Sequence, residues 1–203
     1  TNNLLSFNMH NSQNRISRII EELKNQKSVA IVSDAGMPSI CDPGEDLIKK
    51  VKLNKLEVIC IPGPCAAITA LVSSGFPSSS FIFMGFLPKK KTERNKLLLE
   101  ISKSEKTIIL YESPHRLKKL LIELKEYCGG EREIQVFREL TKIHEENVGN
   151  NLNMVLNIFE DKEIKGEITL VIKGAEKKEK ELNNSYLKKE LIELINAGLS
   201  LSA

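Results

Sequence analysis

The chain is poor in the residues that staple or metallate small proteins. Its 203 residues include four cysteines, Cys41, Cys60, Cys65 and Cys128, with neither a ligand-type repeat nor the density of a disulfide framework. They read as reduced thiols in a cytoplasmic setting. The three histidines, His10, His115 and His144, have no partners at metal-site spacing, and no metal is expected. No apolar run approaches the ~20 residues that span a bilayer, so no membrane partner is expected. The first residues lack the basic flank and long apolar core of a signal peptide. GxGxxG and the GxxxxGK phosphate loop are both missing, which excludes the usual dinucleotide fingerprint and the P-loop. Ser33 and Ser113 lack a GxSxG elbow. A net charge of +3 is too small to imply nucleic acid by itself.

What is present is a soluble-protein composition, 41% hydrophobic and 28% charged, arranged as alternating strand-like and helix-like segments. Strands are expected at Leu4 to Phe7, Ser28 to Val32, Glu57 to Ile61, Ser80 to Met84, Thr107 to Tyr111, Ile134 to Arg138 and Ile168 to Ile172. Between them lie apolar stripes of helical period. The first is Ile16, Ile19, Ile20 and Leu23, and the longest is Leu117, Leu120, Leu121 and Leu124. A helix from Pro64 to Ser74 is rich in small residues and suits a close approach to a sheet. A last helix carrying Leu187, Leu191, Leu194 and Ile195 is expected in the charged tail. The fold class is α/β, as two consecutive α/β units meeting near residue 79, 1–79 and 80–203.

Ligands of open α/β sheets sit beyond the carboxyl ends of the strands. Five loops occupy such places: Ser33 to Gly36, Pro62 to Pro64, Gly85 to Pro88, Glu112 to Arg116 and Glu139 to Lys142. Gly36 and Gly63 admit close backbone approach or positive φ, and Pro62 and Pro64 stiffen the loop between them. Three loops carry a carboxylate: Asp34, Glu112 and Glu139. Asp34 either accepts from a ligand or closes its own Asx turn. Glu112 and Glu139 are candidate proton acceptors, with Asp34 and His10, or else pair with Arg116, Arg138 or Lys142. The basic run Lys89, Lys90, Lys91, Arg94 and Lys96 is either a solvated helix start or a phosphate contact.

The wording and order of six stretches resemble one family: SDAGMPSICDPG (Ser33 to Gly44), IPGPCAAITAL (Ile61 to Leu71), GFLPKKK (Gly85 to Lys91), YESPHRL (Tyr111 to Leu117), RELTKIHEE (Arg138 to Glu146) and KGEITLVIKGA (Lys165 to Ala175). That family is the bacterial ribosomal RNA small subunit methyltransferases I, 2'-O-ribose methyltransferases of the tetrapyrrole-methylase-like superfamily. The resemblance implies S-adenosyl-L-methionine bound in a cleft between two domains. It implies a cytidine of small-subunit ribosomal RNA as substrate, and a homodimer. The donor would be walled by Ser33, Asp34, Ala35 and Gly36, by Pro62, Gly63, Pro64 and Ala66, and by Gly85 and Phe86. Lys89, Lys90, Lys91, Arg116 and Lys142 would meet RNA.

The chain departs from the family pattern in five places. Cys41 and Cys65 stand where serines are usual, and Asn147 to Asn150 replace an aromatic and an arginine. Relatives carry a strand and a Gly/Pro loop before the stretch equivalent to Leu4, and a helical tail beyond AGLSLSA. The chain therefore reads as truncated at both ends, with an incomplete donor pocket expected. Two other readings stand beside the first: a tetrapyrrole (precorrin) methyltransferase, and a non-catalytic RNA- or metabolite-binding module.

Overall fold

The computed structural model describes residues 4–8 and 11–176. His10 and the expected helix bearing Leu187 lie outside the described residues. Three helices come first: α1 (Ser12–Lys24), α2 (Glu45–Leu53) and α3 (Ala66–Ser74). Then follow β1 (Phe81–Phe86), α4 (Lys91–Lys103), β2 (Thr107–Glu112), α5 (Pro114–Cys128), β3 (Glu133–Arg138), β4 (Glu146–Asn151), α6 (Leu152–Phe159) and β5 (Ile168–Ile172).

The strands form one sheet in the order β1-β2-β5-β3-β4. β1 and β2 are parallel, while β5 enters antiparallel between β2 and β3, with Ile168 opposite both Glu112 and Arg138. The carboxyl ends of β1, β2 and β3 therefore share an edge with the amino end of β5.

Alternation along the strands divides the core in two. Ile108, Leu110, Ile134, Val136, Leu170 and Ile172 pack beneath α4, α5 and α6 with Leu98, Leu120 and Val155. Ile109, Phe137 and Val171 point to the other face, where Ala67, Ala70 and Leu71 of α3 cover them. The small residues of α3 do allow the close helix-to-sheet contact expected of them. α1 and α2 make a third cluster through Ile16, Ile19, Leu47 and Val51.

Three sequence expectations are corrected. Leu4 to Phe7, Ser28 to Val32 and Glu57 to Ile61 join no ladder. Ile31 and Leu56 pack on α1 and α2, but Val32, Ile59 and Ile61 stay 80%, 76% and 80% exposed, so β-branched composition alone has not recruited a partner strand. β4 was not expected, because ENVGNN has no apolar alternation. It is an edge strand held by backbone pairing to β3.

The tight seat of α3 yields a prediction. Ala70 is wholly buried against the sheet. Ala70→Leu should therefore cost roughly 1–3 kcal/mol in urea unfolding through overpacking, whereas Val72→Leu, at an exposed position of the same helix, should cost little.

Candidate functional site

At the shared strand edge lies a cavity of about 610 Å³, within the ~300–1,000 Å³ typical of small-molecule sites. Both halves of the chain wall it. Asp34, Ala35 and Gly36, then Met37 and Ile40 to Asp42, come from the first loop, and Pro64 to Ala66 with Thr69 from the start of α3. Phe86, residues Tyr111 to Pro114, and Leu140 to Lys142 come from the ends of β1, β2 and β3. Gly166 to Thr169 come from the approach to β5.

Of the expected site residues, Asp34, Ala35, Gly36, Pro64, Ala66, Phe86, Glu112 and Lys142 line this cavity. Ser33, Pro62, Gly63, Gly85, Lys89, Lys90, Lys91, Arg116 and Glu139 are not among its lining residues. The argument made for Gly36 holds: its φ is +71°, and a Cβ there would sit 3.6 Å from the Pro64 carbonyl oxygen. The matching argument for Gly63 fails, since its φ is not positive and nothing lies within 4 Å of a Cβ built on it. Gly85 supports the wall from behind. At φ +61°, its missing side chain leaves room for the Cys41 thiol. Burial first, then Asp42, push that thiol's pKa up.

The three candidate carboxylates have different surroundings. Asp34 has no hydrogen-bond or ion-pair partner among the described residues, while Ser33 Oγ beside it donates to the Ala35 carbonyl at 2.8 Å. Glu112 is buried at the end of β2. Its Oε1 accepts from the Ser113 N–H at 2.8 Å and lies 3.4 Å from Arg116 Nε. Glu139 folds across the loop edge, where its Oε1 accepts from the Glu167 N–H at 2.7 Å and from Lys142 Nζ at 2.9 Å. The Glu167 N–H and then Lys142 hold the Glu139 carboxyl below its ordinary 4.5. Glu139 and Thr141 have φ of +51° and +64°, so this loop is held in the sparsely populated left-handed region.

Sequence reasoning passed over Tyr111 and the approach to β5. Tyr111 packs against Phe83 and Phe86, with ring centroids 5.0 and 5.8 Å away. Its hydroxyl accepts from the Ala67 N–H at 3.1 Å, one of the donors left open at the start of α3. Burial first, and the Cys65 thiol next, push its pKa up to about 12, so it stays a neutral phenol. An aromatic at a strand end directly before a carboxylate was the available signal. The β5 approach was missed because the carboxyl-end rule assumes parallel strands.

Residues 3–154 match the family described as tetrapyrrole (corrin/porphyrin) methylases. A relative from Thermotoga maritima, "Ribosomal RNA small subunit methyltransferase I", is 46% identical over 173 residues, covering 85% of this chain and 77% of that protein. Among solved structures, the methyltransferase CobJ superposes with a TM-score of 0.62 at 18% identity, covering 86% of this chain and 74% of that one. Uroporphyrin-III C-methyltransferase from Thermus thermophilus, crystallised with S-adenosyl homocysteine, gives a TM-score of 0.54 at 14% identity, covering 79% and 73%. These two likenesses establish the fold.

Two outcomes follow from the site's hydrogen bonds. Tyr111→Phe leaves the Ala67 N–H without its acceptor and should cost about 1 kcal/mol in urea unfolding. Because the Glu139 carboxyl is depressed in the folded protein, the stability it contributes is complete above pH 4.5 and lost as pH falls through its lowered value. Glu139→Gln should forfeit that stability at neutral pH. It should also flatten the loss of stability as pH falls below 4.5, read from denaturant midpoints.

Proposed function

Because this chain belongs to the tetrapyrrole (corrin/porphyrin) methylases, and within them to the ribosomal RNA small subunit methyltransferase I group, we propose that it methylates the ribose 2'-hydroxyl of a cytidine in small-subunit (16S) ribosomal RNA, using S-adenosyl-L-methionine. The observation that carries this reading is the cavity walled jointly by the SDAG loop, the start of α3, the YESP turn and the ELTK turn. We take the junction near residue 79 as the boundary between two units, 1–79 and 80–203, with the donor between them.

The cavity's dimensions and its backbone-rich wall at Gly36, Pro64 and Ala66 suit a folded nucleoside-type donor. When bound, S-adenosylmethionine supplies an electrophilic methyl group on a sulfonium. The chain's own part is to align the hydroxyl in line with that methyl, exclude water and accept a proton. Alignment alone is worth up to ~7–11 kcal/mol. Asp34 is the candidate carboxylate left free at the cavity wall, and we assign it the ligand-facing acceptor role. We take Lys142, at the cavity, and Arg116, beside the YESP turn, as the contacts to RNA nearest the reacting ribose, a reading supported by their positions. Lys89 to Lys91, at the start of α4, are taken as phosphate contacts that position RNA without reading its sequence.

We propose a homodimer in the cytoplasm. The dimer is supported by the apolar side chains of Val32, Ile59 and Ile61, which this chain leaves open to water. Among the described residues no helix is long and apolar enough to cross a membrane.

Mass spectrometry of nuclease-digested ribosomal RNA, after incubating small subunits with protein and donor, tests the reaction. A 2'-O-methylcytidine product is expected, and base methylation or methylation of an added precorrin would overturn the assignment. Asp34→Asn should lower turnover about a hundredfold or more if Asp34 takes the proton. Loss of donor affinity by calorimetry would instead make it a donor ligand. Replacing Lys89, Lys90 and Lys91 with Gln should flatten the log–log salt dependence of RNA binding by roughly 2. Lys90 contributes least because it already pairs with Glu93 at 2.7 Å.

A further inference from the structure

Beneath the cavity wall, four charged side chains from three elements meet at one point. Arg94 of α4 is 5% exposed, and its Nε donates to Glu123 Oε2 of α5 at 2.7 Å. Its Nη1 lies 3.8 Å from Glu112 Oε2, too far for a hydrogen bond. Arg94 Nη1 and Nη2 and Glu112 Oε2 are buried without a hydrogen-bond partner among the described residues. On its other side Glu112 faces Arg116, whose Nη2 donates to the Leu87 carbonyl at 2.8 Å. Arg116 thus spans from the end of β2 to the loop after β1, and its Nη1 has no partner among the described residues. Its side chain is 27% exposed, two residues beyond Pro114 on the cavity wall.

A carboxylate buried this deeply with one oxygen unsatisfied is a poor source of stability, and although Glu112 borders the cavity its side chain is wholly buried. We propose that Glu112 is a positioning residue for substrate RNA. It holds the Arg116 guanidinium against the Leu87 carbonyl, so that the remaining N–H groups face the phosphate of the bound nucleotide. Arg94 fixes Glu112 from behind, and Glu123 fixes Arg94. The YESPHR turn and the GFLP loop therefore move as one rim, with the lysines that follow Pro88 aligned to it. This rests on the reading of Arg116 as an RNA contact.

Steady-state methylation of small subunits by Glu112→Gln, Arg116→Ala, Arg116→Lys and the Glu112→Gln/Arg116→Ala double variant tests it, with melting temperature and donor affinity measured alongside. Arg116→Ala should raise KM for the RNA substrate about tenfold, equivalent to 1.4 kcal/mol, without changing donor affinity. Glu112→Gln should shift the same KM in the same direction and leave the acid limb of the kcat profile in place. The double variant should be no worse than Arg116→Ala alone, since both changes remove one arrangement. Arg116→Lys should retain most of the defect, because an ammonium cannot span Glu112 and the Leu87 carbonyl together. That variant needs no buried substitution, so it decides the matter even if Glu112→Gln fails to fold. A kcat collapse of a hundredfold or more in Glu112→Gln at unchanged KM would make it the base instead. Additive effects in the double variant, or a wild-type KM in Arg116→Lys, would overturn the positioning role. An unchanged KM in Arg116→Ala would remove Arg116 from the RNA contact and this proposal with it, while the 2'-O-methylcytidine product would still identify the reaction.

Discussion

The direction of β5 is the constraint on which the site depends. A strand inserted antiparallel between β2 and β3 keeps those two parallel to each other while bringing its own incoming loop to their carboxyl ends. Gly166 and Glu167 thereby face Glu139, and the Glu167 N–H supplies the hydrogen bond that closes the ELTK turn. Gly166, at φ +89°, leaves the space that the Glu139 carboxylate fills; any side chain there would overlap it. Reversing this one strand would take away a wall of the cavity and the clamp on the turn beside it.

Electrostatics then sort three superficially similar carboxylates. Each follows a strand-like run, and each is compatible with acid–base chemistry by type alone. Glu139 is occupied by a lysine and a backbone N–H, and Glu112 is sealed beneath two arginines. Asp34 alone of the three is left free at the cavity. Two of the carboxylates stiffen the YESP and ELTK turns, and the third stands open on the SDAG loop, a division that follows from hydrogen-bond supply and burial.

Much of the second half was legible in the sequence because its signals are local and strong. The stripe Leu117, Leu120, Leu121 and Leu124 is wholly buried, as are Ile108 to Leu110 of β2. Gly36 and the small residues of α3 also perform as their chemistry suggested. That Ser28 to Val32 and Glu57 to Ile61 pair with no strand was not legible, because a ladder needs a neighbour and side-chain type does not supply one. β4 was missed for the opposite reason: its pairing is carried by backbone, with Gly149 opposite Gln135 and little apolar content to read. The Tyr111–Ala67 contact joins residues 44 apart, and no local pattern encodes such a distance.

The position of α3 bears on how the molecule can be divided. Ala67, Ala70 and Leu71 of α3 cover Ile109, Phe137 and Val171, so the sheet that follows is only half-clothed by its own helices. A polypeptide started at Ser80 would carry an oily face on one side, inviting aggregation or capture by a chaperone. The segment before Ser80 is thus no interchangeable module: it cannot be exchanged for a foreign counterpart unless the new partner brings a helix as slender as α3.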